Sequence, residues 1–347
     1  MRVTVLYRDL SLDIPKLPAT EEKPVAHASP PVVDSRQDTS HCDSVIEVLG
    51  RLGHDAFKVN ATIDWLKGLH QGQYELVFNL CDDGFRCRSE LEPHVSAVMD
   101  VFDIPYTGAG YLSLGMCLDK HLTKKLMEAH GIRTPKYQLF ERVDEKLKKS
   151  LSFPLIVKPC REDASIGIER DSVVYDEAAL RKKIGAVIGK LKQPALVEEY
   201  IDGREINVGI IGDGEKVVLP LSEIIFDGLP EHLDRICCYE AKWIEESVEF
   251  RKTPPKCPAV VDNKLRNKLV KIALRAYGIM RCRDYGRIDF RIDGEGVPYI
   301  LEVNPNPDIS EDAGLANMAR AAGMSYADLI GYIVNSACDR HGMYPGM

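Results

Sequence analysis

Apolar positions along the chain fall into short continuous runs separated by amphipathic stretches, and the two kinds alternate. A first strand is predicted over Val3 to Tyr7. Ser11 to Ser40 then carries five prolines, scattered charge and no periodicity, which predicts a long, mobile surface loop. Helical spacing resumes at Val45, Val48, Leu49 and Leu52, with Gly53 ending the run. YELVFNL (Tyr74 to Leu80) reads as a second buried strand and ELEPHVSAVMDVF (Glu90 to Phe102) as another helix, so a small parallel α/β unit is expected up to about Gly108.

Beyond Gly108 the order changes. A helix from LDKHLTK onward is followed by the strand PLIVKP, the loop CREDASIGI, a helix with Leu180, Ile184, Val187 and Leu191, and the strand ALVEEY. This reads as a smaller α+β unit. REINVGIIGDGEKVVLPLSEIIF gives two alternating runs joined at Asp213-Gly214, a hairpin signal. A helix around NKLRNKLVKIALRAYG, a second hairpin in DYGRIDFRIDGEGVPYILEVNPNP and a C-terminal helix in SYADLIGYIVNSACD complete the pattern.

The second hairpin holds the chemistry. Arg287, Asp289, Glu302 and Asn304 interrupt otherwise apolar strands, where an unpartnered polar side chain is costly. If Asp293 to Gly296 all form the loop, Arg287 falls opposite Glu302, and alternation puts all four side chains on one face. A three-residue loop would break that register. From the residues alone, the face is either a hard-oxygen site suited to Mg²⁺ with nucleotide phosphates or a solvated face with one ion pair. Lys158 ends the buried strand LIVKP, a position that seldom takes a lysine unless an anion is near. Lys120 sits near a helix start, where backbone N–H groups favour anions, although by itself it reads as an ordinary surface lysine. In VEEYIDGRE, Glu198 and Glu205 are either acceptors beside a strand edge open to a purine or solvated acids at a hinge. YEAKW (Tyr239 to Trp243) is expected in a loop.

Composition narrows the reading. At 347 residues, 45% hydrophobic, the chain is long enough for two or three domains. A net charge of -8 argues against a phosphate-neutralising nucleic-acid surface. MRVTVLYRDL has too short an apolar run for a signal peptide or membrane span, so a cytoplasmic protein without membrane partners is expected. The ten cysteines form no CxxC pair and read as reduced, packed thiols; Cys81, Cys87 and His94 match no zinc spacing. Neither GxxxxGK[ST] nor GxGxxG stands between a strand and a helix.

Taken in order and spacing, DIPYTGAG, LDKHLTK, FPLIVKPCREDASIGI, LVEEYIDGREINVGIIG, YEAKW and YGRIDFRIDGEGVPYILEVNPNP resemble the D-alanine:D-alanine ligase family of the ATP-grasp superfamily over about Leu76 to Leu329. The resemblance implies a mixed α/β (α+β) ATP-grasp fold of three domains: an N-terminal parallel α/β domain over 1–108, a central domain over 109–201 and a C-terminal domain over 202–347 carrying the metal site. It implies that Lys120 and Lys158 hold ATP phosphates, that Glu198, Glu199, Tyr200 and Ile201 line the adenine site, and that Glu205 binds the ribose. Lys242 would reach the γ-phosphate, Ser165 would serve in the phosphate loop, and Asp289, Glu302 and Asn304 would ligate two Mg²⁺ ions, with Mn²⁺ as a substitute. Arg287 would stabilise the tetrahedral intermediate.

The implied reaction is phosphorylation of a carboxylate by ATP, then attack of an amine on the acyl phosphate with release of ADP and phosphate. The partners are therefore small carboxylate and amine substrates, joined as amino acids or amino-acid-like molecules, and a homodimer is left open. The alternatives are a ligase adding an amino acid to a non-amino-acid scaffold and a non-catalytic nucleotide-binding regulator, the latter disfavoured by the complete metal and oxyanion set. Several positions depart from the family. The Glu-containing turn that grips the first substrate's amine is replaced by the Pro-rich stretch, where only Asp34 or Asp38 could substitute. The family's His-Gly pair gives way to FNLCDDG, one loop serine to Ala164, and a Ser-Leu pair for the second substrate's carboxylate to Ala313-Gly314, preceded by Glu311 and Asp312.

Overall fold

The structure, a computed structural model, describes residues 1–8 and 40–343. Most of the Pro-rich stretch, with Asp34 and Asp38, lies outside the described residues. Strand β1 (Arg2–Tyr7) is central in a parallel sheet of order β2-β1-β3, with β2 (Asp55–Asn60) and β3 (Leu76–Asn79) beside it. Strand β2 had no signal in the apolar pattern, because DAFKVN is a half-exposed edge strand whose side chains mix charge with apolar groups. Helices α1 (Ser40–Arg51), α2 (Ile63–Lys67) and α3 (Glu92–Val101) complete this region.

Helices α4 (Tyr111–Leu118) and α5 (Lys120–Ala129) lead into an antiparallel sheet of order β4-β7-β5-β6, built from β4 (Tyr137–Phe140), β5 (Leu155–Pro159), β6 (Val173–Val174) and β7 (Ala195–Glu199). Its apolar face is covered by α6 (Glu177–Ala186), through Leu180 and Ile184. Strand β7 is interior, flanked by β4 and β5, so the open edge expected at VEEY is absent. The expected edge is lost because the Lys136 carbonyl accepts from the Glu199 N–H and the Pro154 carbonyl from the Tyr200 N–H.

The third sheet has order β11-β10-β8-β12-β13. It comprises β8 (Arg204–Ile211), β9 (Val217–Val218), β10 (Ser222–Ile224), β11 (Pro255–Lys256), β12 (Tyr285–Ile292) and β13 (Pro298–Asn304), with β9 also pairing β8. The hairpin at Asp213-Gly214 is present, but its second run is divided between β9 and β10, with Pro220 lying between them. YEAKW is a short helix, α7 (Tyr239–Trp243), not a loop, and α8 (Val248–Lys252) follows it. Helix α9 (Asn263–Ile279) buries Leu269, Ala273, Ala276 and Tyr277 against one sheet face. Helices α10 (Gly314–Ala321) and α11 (Tyr326–Arg340) carry the chain back onto β1 and α1 in one shared apolar core.

Asp284 locks this return. It is wholly buried at φ +62° and accepts from the Gly108 N–H at 2.7 Å, the Ser336 hydroxyl at 2.9 Å and Arg340 Nη2 at 2.6 Å.

The β12–β13 hairpin differs from the expected register. Asp293 N–H donates to the Val297 carbonyl at 3.1 Å, and the Asp293 carboxylate accepts from the Glu295 and Val297 N–H groups, so the loop is only three residues. That turn pairs Phe290 with Ile300 and by itself would rotate Glu302 to the opposite face. A bulge at Leu301 inserts one residue and reverses the slip. Arg287 therefore lies across from Asn304 rather than Glu302, and Asp289 across from Glu302, with the four still on one face.

Candidate active site

Alternation along β12 and β13 brings Arg287, Asp289, Glu302 and Asn304 to one sheet face, and β8 adds Asn207 directly opposite Asp289. Arg287 grips Asp289 bidentately, Nε and Nη2 each donating at 2.8 Å. Asn207 Nδ2 donates to the other lone pair of Oδ1 at 2.5 Å and Asn304 Nδ2 to Oδ2 at 2.8 Å. Asn207 was legible in principle: it alternates with Glu205 along REINVGII.

Glu302 gathers cations from separate segments. Burial alone would raise its carboxyl, but Lys120, Lys242, Lys158 and Arg287 outweigh that and hold it well below the usual carboxylate range. Lys120 Nζ stands 3.6 Å from Glu302 and 3.4 Å from Asp163, and it donates to the Glu162 carbonyl. Asp119 caps α5 by accepting from the Leu122 N–H, so Lys120 opens the helix; it is buried, not on the surface. Its own ammonium, penalised by burial, is held above the usual range by Asp163 and Glu302.

A second buried cluster surrounds Glu198. Glu198 is 1% exposed and its Oε1 is ion-paired with two ammoniums, Lys158 Nζ at 2.8 Å and Lys124 Nζ at 3.1 Å. It is thus neither a solvated hinge acid nor free. Burial pushes its carboxyl up, and Lys124 and Lys158 bring it below the usual value. With one carboxylate between two cations, burial outweighs Glu198 at Lys124 and brings that ammonium down to about 8, Lys158 adding to the shift. Glu205 is engaged too, 3.0 Å from Arg291, which also donates to the Gly203 carbonyl at 2.9 Å. Glu199 turns outward to Lys136 at 3.1 Å, Tyr200 Oη accepts from the Arg235 N–H at 3.1 Å, and Ile201 is half-buried just beyond β7.

The loop between β5 and β6 is fastened to the α7 segment. Ala164 and Ser165 are both left-handed, at φ +53° and +62°, which presents the Ala164 carbonyl to Trp243 Nε1 at 2.9 Å and the Ser165 hydroxyl to the Cys237 carbonyl at 2.8 Å. Tyr239 N–H donates to Ile168 at 2.8 Å and Arg170 Nη2 to Glu249 at 2.9 Å. Lys242 lies on the helix so fastened.

At the other end of the face the surroundings are acidic. Glu92, buried at the start of α3, accepts from Asn306 Nδ2 at 2.9 Å, and Asn306 accepts from the Tyr285 hydroxyl. Asp82, Asp308 and Ser310 line the same hollow, and Glu311 and Asp312 lie just outside it. A Cβ on Gly314, the first residue of α10, would stand 3.9 Å from Arg287 Nη1, so that helix begins beside the guanidinium.

A family model described as D-ala D-ala ligase C-terminus matches residues 126–335. A Sinorhizobium fredii protein described as uncharacterized protein y4sG is 35% identical over 308 residues, 86% of this chain and 88% of its own length. The D-alanine–D-alanine ligase of Carboxydothermus hydrogenoformans is 33% identical over 245 residues, 68% of this chain and 74% of its own. The crystal structure of the Bacillus anthracis D-alanine–D-alanine ligase complexed with ATP superposes with a TM-score of 0.71 at 23% identity, covering 99% of each chain. The class is therefore an ADP-forming ligase on the ATP-grasp fold. The chain belongs to the D-alanine–D-alanine ligase family. No helix among the described residues is long and apolar enough to cross a membrane.

Proposed function

We propose that the protein joins a small carboxylate to an amine-bearing acceptor, with ATP and Mg²⁺, at the β12–β13 face. The observation carrying this reading is Glu302, kept ionised by cations from α5, β5, α7 and β12 and directly opposite a second carboxylate, Asp289. Two carboxylates and the Asn304 amide are a hard-oxygen set suited to Mg²⁺, which binds few protein carboxylates and completes its shell with water and phosphate. An ion held there would supply charge compensation for phosphate groups. Asp289, Glu302 and Asn304 would hold it, Lys120, Lys158 and Lys242 would hold phosphates, and Ser165 would keep the phosphate loop closed. Glu198, Tyr200 and Ile201 would face the adenine and Glu205 the ribose, while the Glu199 side chain, turned outward to Lys136, would not. Arg287, freed from Asp289, would stabilise the oxyanion of the tetrahedral intermediate. The domains we assign to this work are 1–108, 109–201 and 202–347.

The acceptor is where this protein departs from a ligase of two D-alanines. Without the serine hydroxyl at Ala313, an acceptor carboxylate loses a hydrogen bond worth ~1.5–3 kcal/mol. The neighbouring acids Asp308, Glu311 and Asp312 oppose that carboxylate and favour a larger acceptor or one with an additional cation. An ADP-release screen over paired carboxylates and amines, with mass spectrometry of products, tests both statements. Coupling to an amino acid or amine other than D-alanine is the expected result. D-Alanine alone proving the best substrate by about tenfold, ~1.4 kcal/mol, would remove the altered acceptor. ADP release with no pair would remove the ligase reading.

A further inference from the structure

Lys124 has no part in the roles assigned above, yet it is 1% exposed, one helical turn beyond Lys120 on the same face of α5. Its Nζ lies 3.1 Å from Glu198 and donates to the Thr134 hydroxyl at 2.7 Å; that hydroxyl donates to the Ile300 carbonyl at 3.0 Å. The Ile300 N–H donates in turn to the Arg133 carbonyl at 2.9 Å. Strand β13 is at the sheet edge, so the Arg133–Thr134 segment takes both outward-facing groups of Ile300, the residue immediately before the bulge that turns Glu302 onto the metal face.

Stability is a weak account of this lysine. Two ammoniums share the single Glu198 carboxylate, and a buried charge of this kind is commonly matched or bettered by an apolar residue of similar volume. We propose that Lys124 is a positioning residue of the active site, one buried group that orients Glu198 on the base side and, through Thr134, fixes β13 ahead of Glu302 on the metal side. The proposal rests on the nucleotide reading above. It adds a physical tie between the two ends of the nucleotide site, made by a hydroxyl and an ammonium that would touch neither ATP nor metal.

The test is calorimetric binding of ATP to the full chain across a Mg²⁺ titration, with adenosine as a probe of the base side alone. Thr134→Val keeps the shape and removes the hydroxyl, and is expected to raise the Mg²⁺ concentration at half-maximal ATP affinity about tenfold, the size typical of losing a group behind a metal ligand. Adenosine binding should stay unchanged in this variant. Thr134→Ser retains the hydroxyl and should restore the wild-type midpoint, a rescue that a merely space-filling role would not give. Lys124→Met should weaken both adenosine binding and the Mg²⁺ midpoint; if it fails to fold, the Val and Ser pair at Thr134 decides. A Mg²⁺ midpoint for Thr134→Val that matches wild type, or Val and Ser variants shifted alike, overturns the relay. Wild-type protein that binds no MgATP overturns the nucleotide reading itself, and the relay with it.

Discussion

Asp289 and Glu302 face each other across the β12–β13 ladder, and both oxygens of Asp289 are held by Arg287 at 2.8 Å. The guanidinium and its nearest carboxylate are thus paired, a contact that the oxyanion role of Arg287 would open, and Glu302 beside them receives its compensating charge from Lys120, Lys242 and Lys158 as well as Arg287. A substitution in either carboxylate leaves cations unbalanced while changing little volume.

Glu302→Gln should abolish ADP release at saturating Mg²⁺ while the circular dichroism spectrum stays that of wild type and the unfolding midpoint falls, because Lys120, Lys242, Lys158 and Arg287 lose the carboxylate they share. The amide keeps the volume and removes the charge that a hard cation requires. A variant with unaltered turnover and unaltered Mg²⁺ dependence would contradict the metal assignment.

Arg287→Lys should lower turnover by roughly 10² to 10³, the usual cost of losing an oxyanion donor, with ATP affinity nearly unchanged. An ammonium cannot reproduce two parallel N–H donors, so Asp289 also loses its bidentate partner. Steady-state kinetics beside equilibrium ATP binding separate the outcomes. Collapse of ATP affinity with turnover preserved on bound nucleotide would make Arg287 a nucleotide ligand instead.

Glu92→Gln should gain stability relative to wild type as pH rises. Burial pushes the Glu92 carboxyl well above its ordinary value; the Asn306 amide pulls it down, and Asp163, Asp82 and Asp83 push it further up. The folded state therefore keeps a proton that the unfolded chain releases above about 4.3, and wild-type stability falls between the ordinary and the raised value. Glutamine cannot ionise and can still accept from Asn306. Denaturant unfolding at pH 5 and pH 8 should show the variant's advantage larger at pH 8; an equal difference at both would refute the raised carboxyl.

Arg340→Met should destabilise the protein by roughly 3–5 kcal/mol, because it strands Asp284, which is wholly buried, without its cation. The Tyr106 carbonyl, 2.8 Å from Arg340 Nη2, loses a donor as well. Urea unfolding measures the loss. A change below about 1 kcal/mol, the range of an exposed ion pair, would show that the clamp contributes little.

What the sequence by itself determined follows from local periodicity. Alternation with period two is a property of each strand alone, so Arg287 with Asp289, and Glu302 with Asn304, share faces whatever the strands pair with. Much of the order of strands and helices, though neither β2 nor α7, and the family resemblance of LDKHLTK, LIVKP, VEEYIDGRE and YEAKW were legible for the same reason: each is set by contiguous residues. The tertiary structure decided what joins those pieces. Whether the two strands turn their polar faces to the same side depended on a three-residue turn capped by Asp293 and a compensating bulge at Leu301, two irregularities whose effects on register cancel. Packing, not spacing, set Lys124 against Glu198, Asn306 against Glu92 and Arg340 against Asp284. Those partners lie 74, 214 and 56 residues apart, and the desolvation that makes each pair matter exists only once the intervening chain has closed around it.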